Sequence, residues 1–78
     1  MKLSIVSPEE TLYEGEVKSV KMQGIDGKFQ VLNNHAPLIS ALSKGEIKIE
    51  EVSGEQKTFE INSGLVELSK NEIQILAQ

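Results

Sequence analysis

Gly27-Lys28-Phe29-Gln30-Val31-Leu32-Asn33-Asn34-His35-Ala36-Pro37-Leu38-Ile39-Ser40 carries the reading of this chain. The stretch leaves a glycine turn and alternates polar with apolar residues as far as Val31. It then breaks at a polar corner that holds the only histidine, and enters a second apolar segment. Alternation of this kind belongs to a strand with one buried face, and paired asparagines ahead of Ala36-Pro37 are turn chemistry. The segment is a partly buried corner between two strands.

The same pattern extends outward in both directions. Turn signals recur at Ser7-Pro8, Glu14-Gly15, Gly24 to Gly27, Asn33-Asn34, Lys44-Gly45, Ser53-Gly54, Asn62-Ser63-Gly64 and Lys70-Asn71. Punctuation at such short intervals marks a sandwich or barrel of short strands. Between the turns the period is two, as in Glu46-Ile47-Lys48-Ile49-Glu50, Thr58-Phe59-Glu60-Ile61, Val66-Glu67-Leu68 and Ile73-Gln74-Ile75. One apolar and one polar face per strand predicts antiparallel sheets closed on a single core. That core is expected to hold Leu3, Ile5, Val20, Met22, Phe29, Val31, Ile47, Ile49, Phe59, Ile61, Val66, Leu68, Ile73 and Ile75. Val17 falls out of phase with Val20 and Met22, which predicts a bulge near Lys18-Ser19. No helical stripe is sustained. The expectation is one all-β domain over residues 1–78, with about nine or ten short strands.

Composition narrows the function. Seventy-eight residues with no cysteine leave a thin core with no disulfide or thiolate metal site to reinforce it. The opening Met1-Lys2-Leu3-Ser4-Ile5-Val6 is ended by Ser7-Pro8-Glu9-Glu10, too soon for a signal peptide or a membrane span, so a soluble, cytosolic type of chain is expected. The net charge is −4, and the eight basic residues are all lysine, scattered among twelve carboxylates. Without arginine, and with Tyr13, Phe29 and Phe59 as the only aromatics, nucleic acid is not an expected partner.

Catalytic equipment is sparse. A hydrolase would pair His35 with Ser40 or Ser43 as nucleophile and Asp26 as orienting acid, but neither serine lies in a Gly-x-Ser-x-Gly elbow. The simpler reading is a corner histidine that satisfies backbone groups. One histidine and no cysteine make a poor metal set, and Glu50-Glu51 point to opposite faces of a strand. Gly24-Ile25-Asp26-Gly27 lacks the Gly-Lys-Ser/Thr ending of a phosphate loop and reads as a reverse turn. Glu46, Glu50, Glu51 and Glu55 read as a solvated face. No catalytic residue, cofactor or metal is expected, and the profile is that of a binding or assembly module.

An ordered series of motifs adds a family. Leu3-x-Ile5-Val6-Ser7-Pro8-Glu9, the Leu12-Tyr13-Glu14-Gly15-Glu16-Val17 hairpin, Gly27-x-Phe29, His35-Ala36-Pro37-Leu38, Gly45-x-Ile47, Ser63-Gly64-Leu65-Val66-Glu67 and Ile73-x-Ile75-Leu76-Ala77 follow one another along the chain. The series resembles the N-terminal domain of the epsilon subunit of F-type ATP synthase. That resemblance implies a flattened antiparallel β-sandwich in the central stalk of a proton- or sodium-translocating enzyme. It implies a non-catalytic rotor subunit that links the gamma subunit to the c-ring and supports coupling of ion flow to ATP synthesis. Carried over by position, Ser7, His35 and Ser40 would face gamma, and Asp26 and Lys28 would lie on the loop facing the c-ring. The implied place is the cytoplasmic side of the bacterial inner membrane, peripherally, with membrane contact only through the c-ring. Lys28 and Gln30 depart from the family pattern, which often has an acidic residue or glycines there. Members that continue into a C-terminal helical hairpin use it to inhibit hydrolysis or to bind ATP. This sequence stops at Gln78, so a short form without ATP binding is expected. A free-standing sandwich that adds a peptide to an edge strand is the alternative, and a small hydrolase built on His35 is the third reading.

Overall fold

The turn residues cut the chain into eight strands and no helix, as described by a computed structural model covering residues 1–78. They are β1 (Lys2–Val6), β2 (Thr11–Gly24), β3 (Gly27–Leu32), β4 (Leu38–Leu42), β5 (Gly45–Glu51), β6 (Gln56–Ile61), β7 (Gly64–Ser69) and β8 (Glu72–Ala77). One layer runs β4-β7-β8-β1 and ends on the first half of β2. The other runs β6-β5, the second half of β2, then β3. The Cα atoms span 27 × 24 × 18 Å, the flattened shape of two packed sheets.

The sandwich is not wholly antiparallel. Lys70-Asn71 forms the two-residue turn between β7 and β8, with φ of 53° and 61°, the left-handed pair a tight hairpin demands. That turn sets the direction of β8, whose other edge meets β1 in parallel, Leu3 opposite Ile73 and Ile5 opposite Ile75.

The strand count is eight rather than about nine or ten because β2 is one strand of fourteen residues. The expected hairpin over Leu12–Val17 and the turn at Glu14-Gly15 do not form. Gly15 stays extended, opposite Leu3, and lies under the ring of Tyr13. A Cβ at Gly15 would sit 2.7 Å from the Tyr13 hydroxyl, so this glycine serves a close approach rather than a turn. The expected bulge is present: pairing of β2 with β5 slips between Val17 and Ser19. It changes the inward phase of the strand. Tyr13, Gly15 and Val17 face the core before it, Val20, Met22 and Gly24 after it.

Leu3, Ile5, Val20, Val31, Val66 and Ile75 are completely shielded from solvent, and Met22, Ile47, Ile49, Ile61, Leu68 and Ile73 are buried beside them. Met1, Val17, Leu42 and Ala77 join this core. Phe29 and Phe59, expected inside, are only half-buried. Both lie on strands with one paired edge, β3 and β6, at the margin of the layer.

A polar clasp closes the margin beside Phe59. The Tyr13 and Phe59 rings are 5.7 Å apart, and the Tyr13 hydroxyl donates to Glu51 Oε2 at 2.5 Å. Lys57 Nζ lies 3.5 Å from the same carboxylate and 5.6 Å from the Tyr13 ring centroid. Burial, then the hydrogen bond to Glu51, pushes the Tyr13 phenol from 10.0 up to about 12. The Tyr13 hydroxyl, seconded by Lys57, holds the Glu51 carboxyl below its ordinary 4.5.

Three outcomes are expected. A raised phenol pKa stabilises the fold fully below pH 10, and that contribution is lost as pH climbs from 10.0 to about 12. Tyr13→Phe removes this alkaline loss, read as Tm against pH. Glu51 works in the other direction, its contribution holding above the unfolded value and fading as pH falls through the lowered one. Ile5→Ala, at a position with no exposed surface, costs about 2–5 kcal/mol in urea unfolding. In so small a domain that is a large share of the total.

Candidate functional site

Strand alternation sends every second residue of β4, β7, β8 and β1 to the outer surface. The register aligns Ala41, Leu65, Leu76 and Val6 in a single row across those four strands. Leu12, the unpaired residue where β1 and β2 slip register, lies beside Val6 at one end. Ile25 lies at the other end, its N–H donating to the Ala41 carbonyl at 3.2 Å. Ile39 stands one outward position along β4 and is 69% exposed, with Ile25 at 67%, Leu76 at 47% and Leu65 at 41%. Isolated exposed apolar residues need no explanation, whereas a contiguous row marks a docking surface.

The next outward row is different. Glu67, Gln74, Ser4 and Glu14 align across β7, β8, β1 and β2, and Glu72 follows beyond. With Lys2 they line a shallow depression of about 300 Å³. The face therefore pairs an apolar belt with an acidic shelf. It suits a partner that offers apolar side chains flanked by cations.

The residues singled out in the sequence fall around this face rather than in one cluster. Ser7 directly follows Val6, and its hydroxyl closes the β1–β2 turn, accepting the Glu10 N–H and donating to the Glu10 carbonyl, both at 3.2 Å. Ser40 sits between Ile39 and Ala41 on β4, and its hydroxyl donates to the Ala41 carbonyl at 3.3 Å. Ser7 thus lies at one end of the belt, whereas Ser40, opposite the fully buried Val66, has the inward phase of β4 and is not on the belt's face. His35 lies past the opposite end of β4, at the corner diagonal to Ser7. Its Nδ1 is 2.7 Å from the Ala36 carbonyl, and the ring is exposed. That corner is held by Asn71, whose side chain accepts from the Asn34 N–H at 2.8 Å and donates to Asn33 Oδ1 at 2.9 Å.

Asp26 occupies the two-residue turn after β2, next to Ile25 at the end of the belt, and Lys28 is the second residue of β3. Both are exposed. The hydrogen bonds of His35 and Ser40 go to separate backbone carbonyls, so no nucleophile–base pair is assembled. No group of three histidine or carboxylate side chains converges on a common point as a metal site would require.

Sequence reading missed the belt. Its signal was present in the outward phase, where Leu65 and Leu76 occupy positions that alternation assigns to polar residues. Leu65→Asp combined with Leu76→Lys, which sets opposite charges face to face across the β7–β8 ladder, leaves Tm nearly unchanged, because exposed substitutions cost within about 0.5 kcal/mol. A differential scanning measurement checks it; a large loss would make the belt part of the fold rather than of an interface.

Comparison with known proteins is consistent along the whole length. Residues 1–78 match the family model of the ATP synthase delta/epsilon chain, beta-sandwich domain. The chain is 38% identical over 77 residues to the ATP synthase epsilon chain of Chlorobium limicola, covering 99% of this chain and 88% of that one. It is 42% identical over 78 residues to the epsilon chain of Nitratiruptor sp., covering all of this chain and 60% of that one. In fold it is similar to a chain in the cryo-EM structure of the Euglena gracilis mitochondrial ATP synthase, with the OSCP/F1/c-ring assembly. There the TM-score is 0.90 at 18% identity, over 96% of this chain and 48% of the other.

Proposed function

This chain belongs to the ATP synthase delta/epsilon β-sandwich family, and from that membership we propose that it is a non-catalytic rotor subunit of the central stalk. It joins the gamma subunit to the c-ring of an F-type, proton- or sodium-translocating ATP synthase and supports coupling of ion flow to ATP synthesis. The observation that carries this reading is the belt of Ala41, Leu65, Leu76 and Val6, continuous through Ile25 with the Asp26 turn. One surface and the loop beside it can engage two neighbours at once, which is what a coupling element needs.

Gamma covers the belt, with Ser7 at one margin, Ser40 reached only through the β4 backbone between Ile39 and Ala41, and His35 as an outlying contact at the far corner. Asp26 and Lys28 meet the c-ring. The acidic shelf gives gamma its orientation, since charges at a rim steer and register more than they bind. The domain sits peripherally at the cytoplasmic side of the bacterial inner membrane, touches the bilayer only through the c-ring, and has no nucleotide, metal or chemistry of its own.

Co-purification with gamma and the c-ring tests the assignment. Leu65→Asp with Leu76→Lys weakens gamma binding by about 30-fold or more, the loss expected for central apolar contacts. Unchanged affinity in a folded double variant would remove the belt from the interface. A wild-type chain that retains neither gamma nor the c-ring would overturn the rotor assignment itself.

A further inference from the structure

The outer face of the second layer has the opposite character. Lys21 and Gln23 from β2, Lys28 and Gln30 from β3, and Lys48 with Glu46 from β5 line a trough of about 700 Å³. Lys21 lies directly opposite Lys48 across the β2–β5 ladder, and Lys28 is on the diagonal from Lys21 across the β2–β3 ladder. Like charges opposed on neighbouring strands destabilise a sheet. Glu46 reaches Lys48 only at 4.0 Å, and Lys21 and Lys28 have no carboxylate within ion-pairing distance. Yet carboxylates outnumber lysines twelve to eight in this chain. A local arrangement that works against the fold, inside a concavity, points to a binding role.

We propose that this trough is a receptor for an acidic polypeptide turn, one that presents two or more carboxylates. The lysines supply charge, the Gln23 and Gln30 amides supply hydrogen bonds, and only Met22 and Phe29 are hydrophobic in the lining, so recognition is polar. Because the chain as a whole carries −4, an acidic partner is repelled elsewhere and admitted here, which fixes its orientation. The trough includes Lys28, close to the Asp26 turn. On the rotor assignment above, on which the partner's identity rests, the c-ring segment facing this loop is therefore acidic. The chemistry of the occupant rests on the trough alone.

Titration of the isotope-labelled full chain with a hexaglutamate peptide, followed by NMR, is the test, with hexaglutamine as control. Shifts confined to Lys21, Gln23, Lys28, Gln30 and Lys48, weakening as salt rises and absent with hexaglutamine, are expected. Lys21→Gln with Lys28→Gln reduces affinity about tenfold or more, with Tm unchanged or higher, because neither lysine makes an ion pair that the fold would lose. Equal shifts with both peptides, or unchanged affinity in the double variant, would overturn the proposal. So would binding of the same lysines to phosphatidylglycerol vesicles without any response to hexaglutamate, which would assign the trough to a membrane surface. In rotor co-purification the same variant loses the c-ring and keeps gamma. Loss of both from the wild-type chain would count against the rotor assignment and leave the peptide result standing.

Discussion

Everything in this domain depends on how β2 serves two layers at once. A strand alternates its faces strictly, so a single strand crossing from one sheet to another would turn its apolar face outward unless one residue were added. The slip at Val17–Ser19 adds that residue. Before it the strand pairs with β1, and after it with β5 on one edge and β3 on the other. Both segments then point their apolar side chains at one core, which completes the burial of Val17 and Val20 together. Gly15 keeps room for the Tyr13 ring, whose hydroxyl spans to Glu51 on the other layer and ties its margin.

That single core leaves two outer faces free, and they differ. The first layer shows an apolar belt backed by carboxylates, the second a trough lined with lysines. A thin domain has no room for an internal site, since its interior is one layer of interdigitated side chains. Its chemistry must lie on its surfaces. Two faces of unlike polarity, with Asp26 and Lys28 close to where they approach each other, suit a piece held between different neighbours rather than a catalyst.

Sequence by itself determined the strand class, the turns and nearly all of the core. Period two survives in a linear string, and turn residues act locally, so every turn signal except Glu14-Gly15 marks a real connection. The bulge was legible for the same reason, as a break in phase at Lys18-Ser19. What the tertiary structure decided is what depends on neighbours distant in sequence. Gly15 became a contact under Tyr13, and Phe29 and Phe59 were left half-buried because their strands fell at layer margins. The belt joins residues as far apart as Val6 and Leu76, and the trough opposes Lys21 to Lys48. Each is a consequence of register, the sum of long-range hydrogen bonding, and register is not written in any one segment.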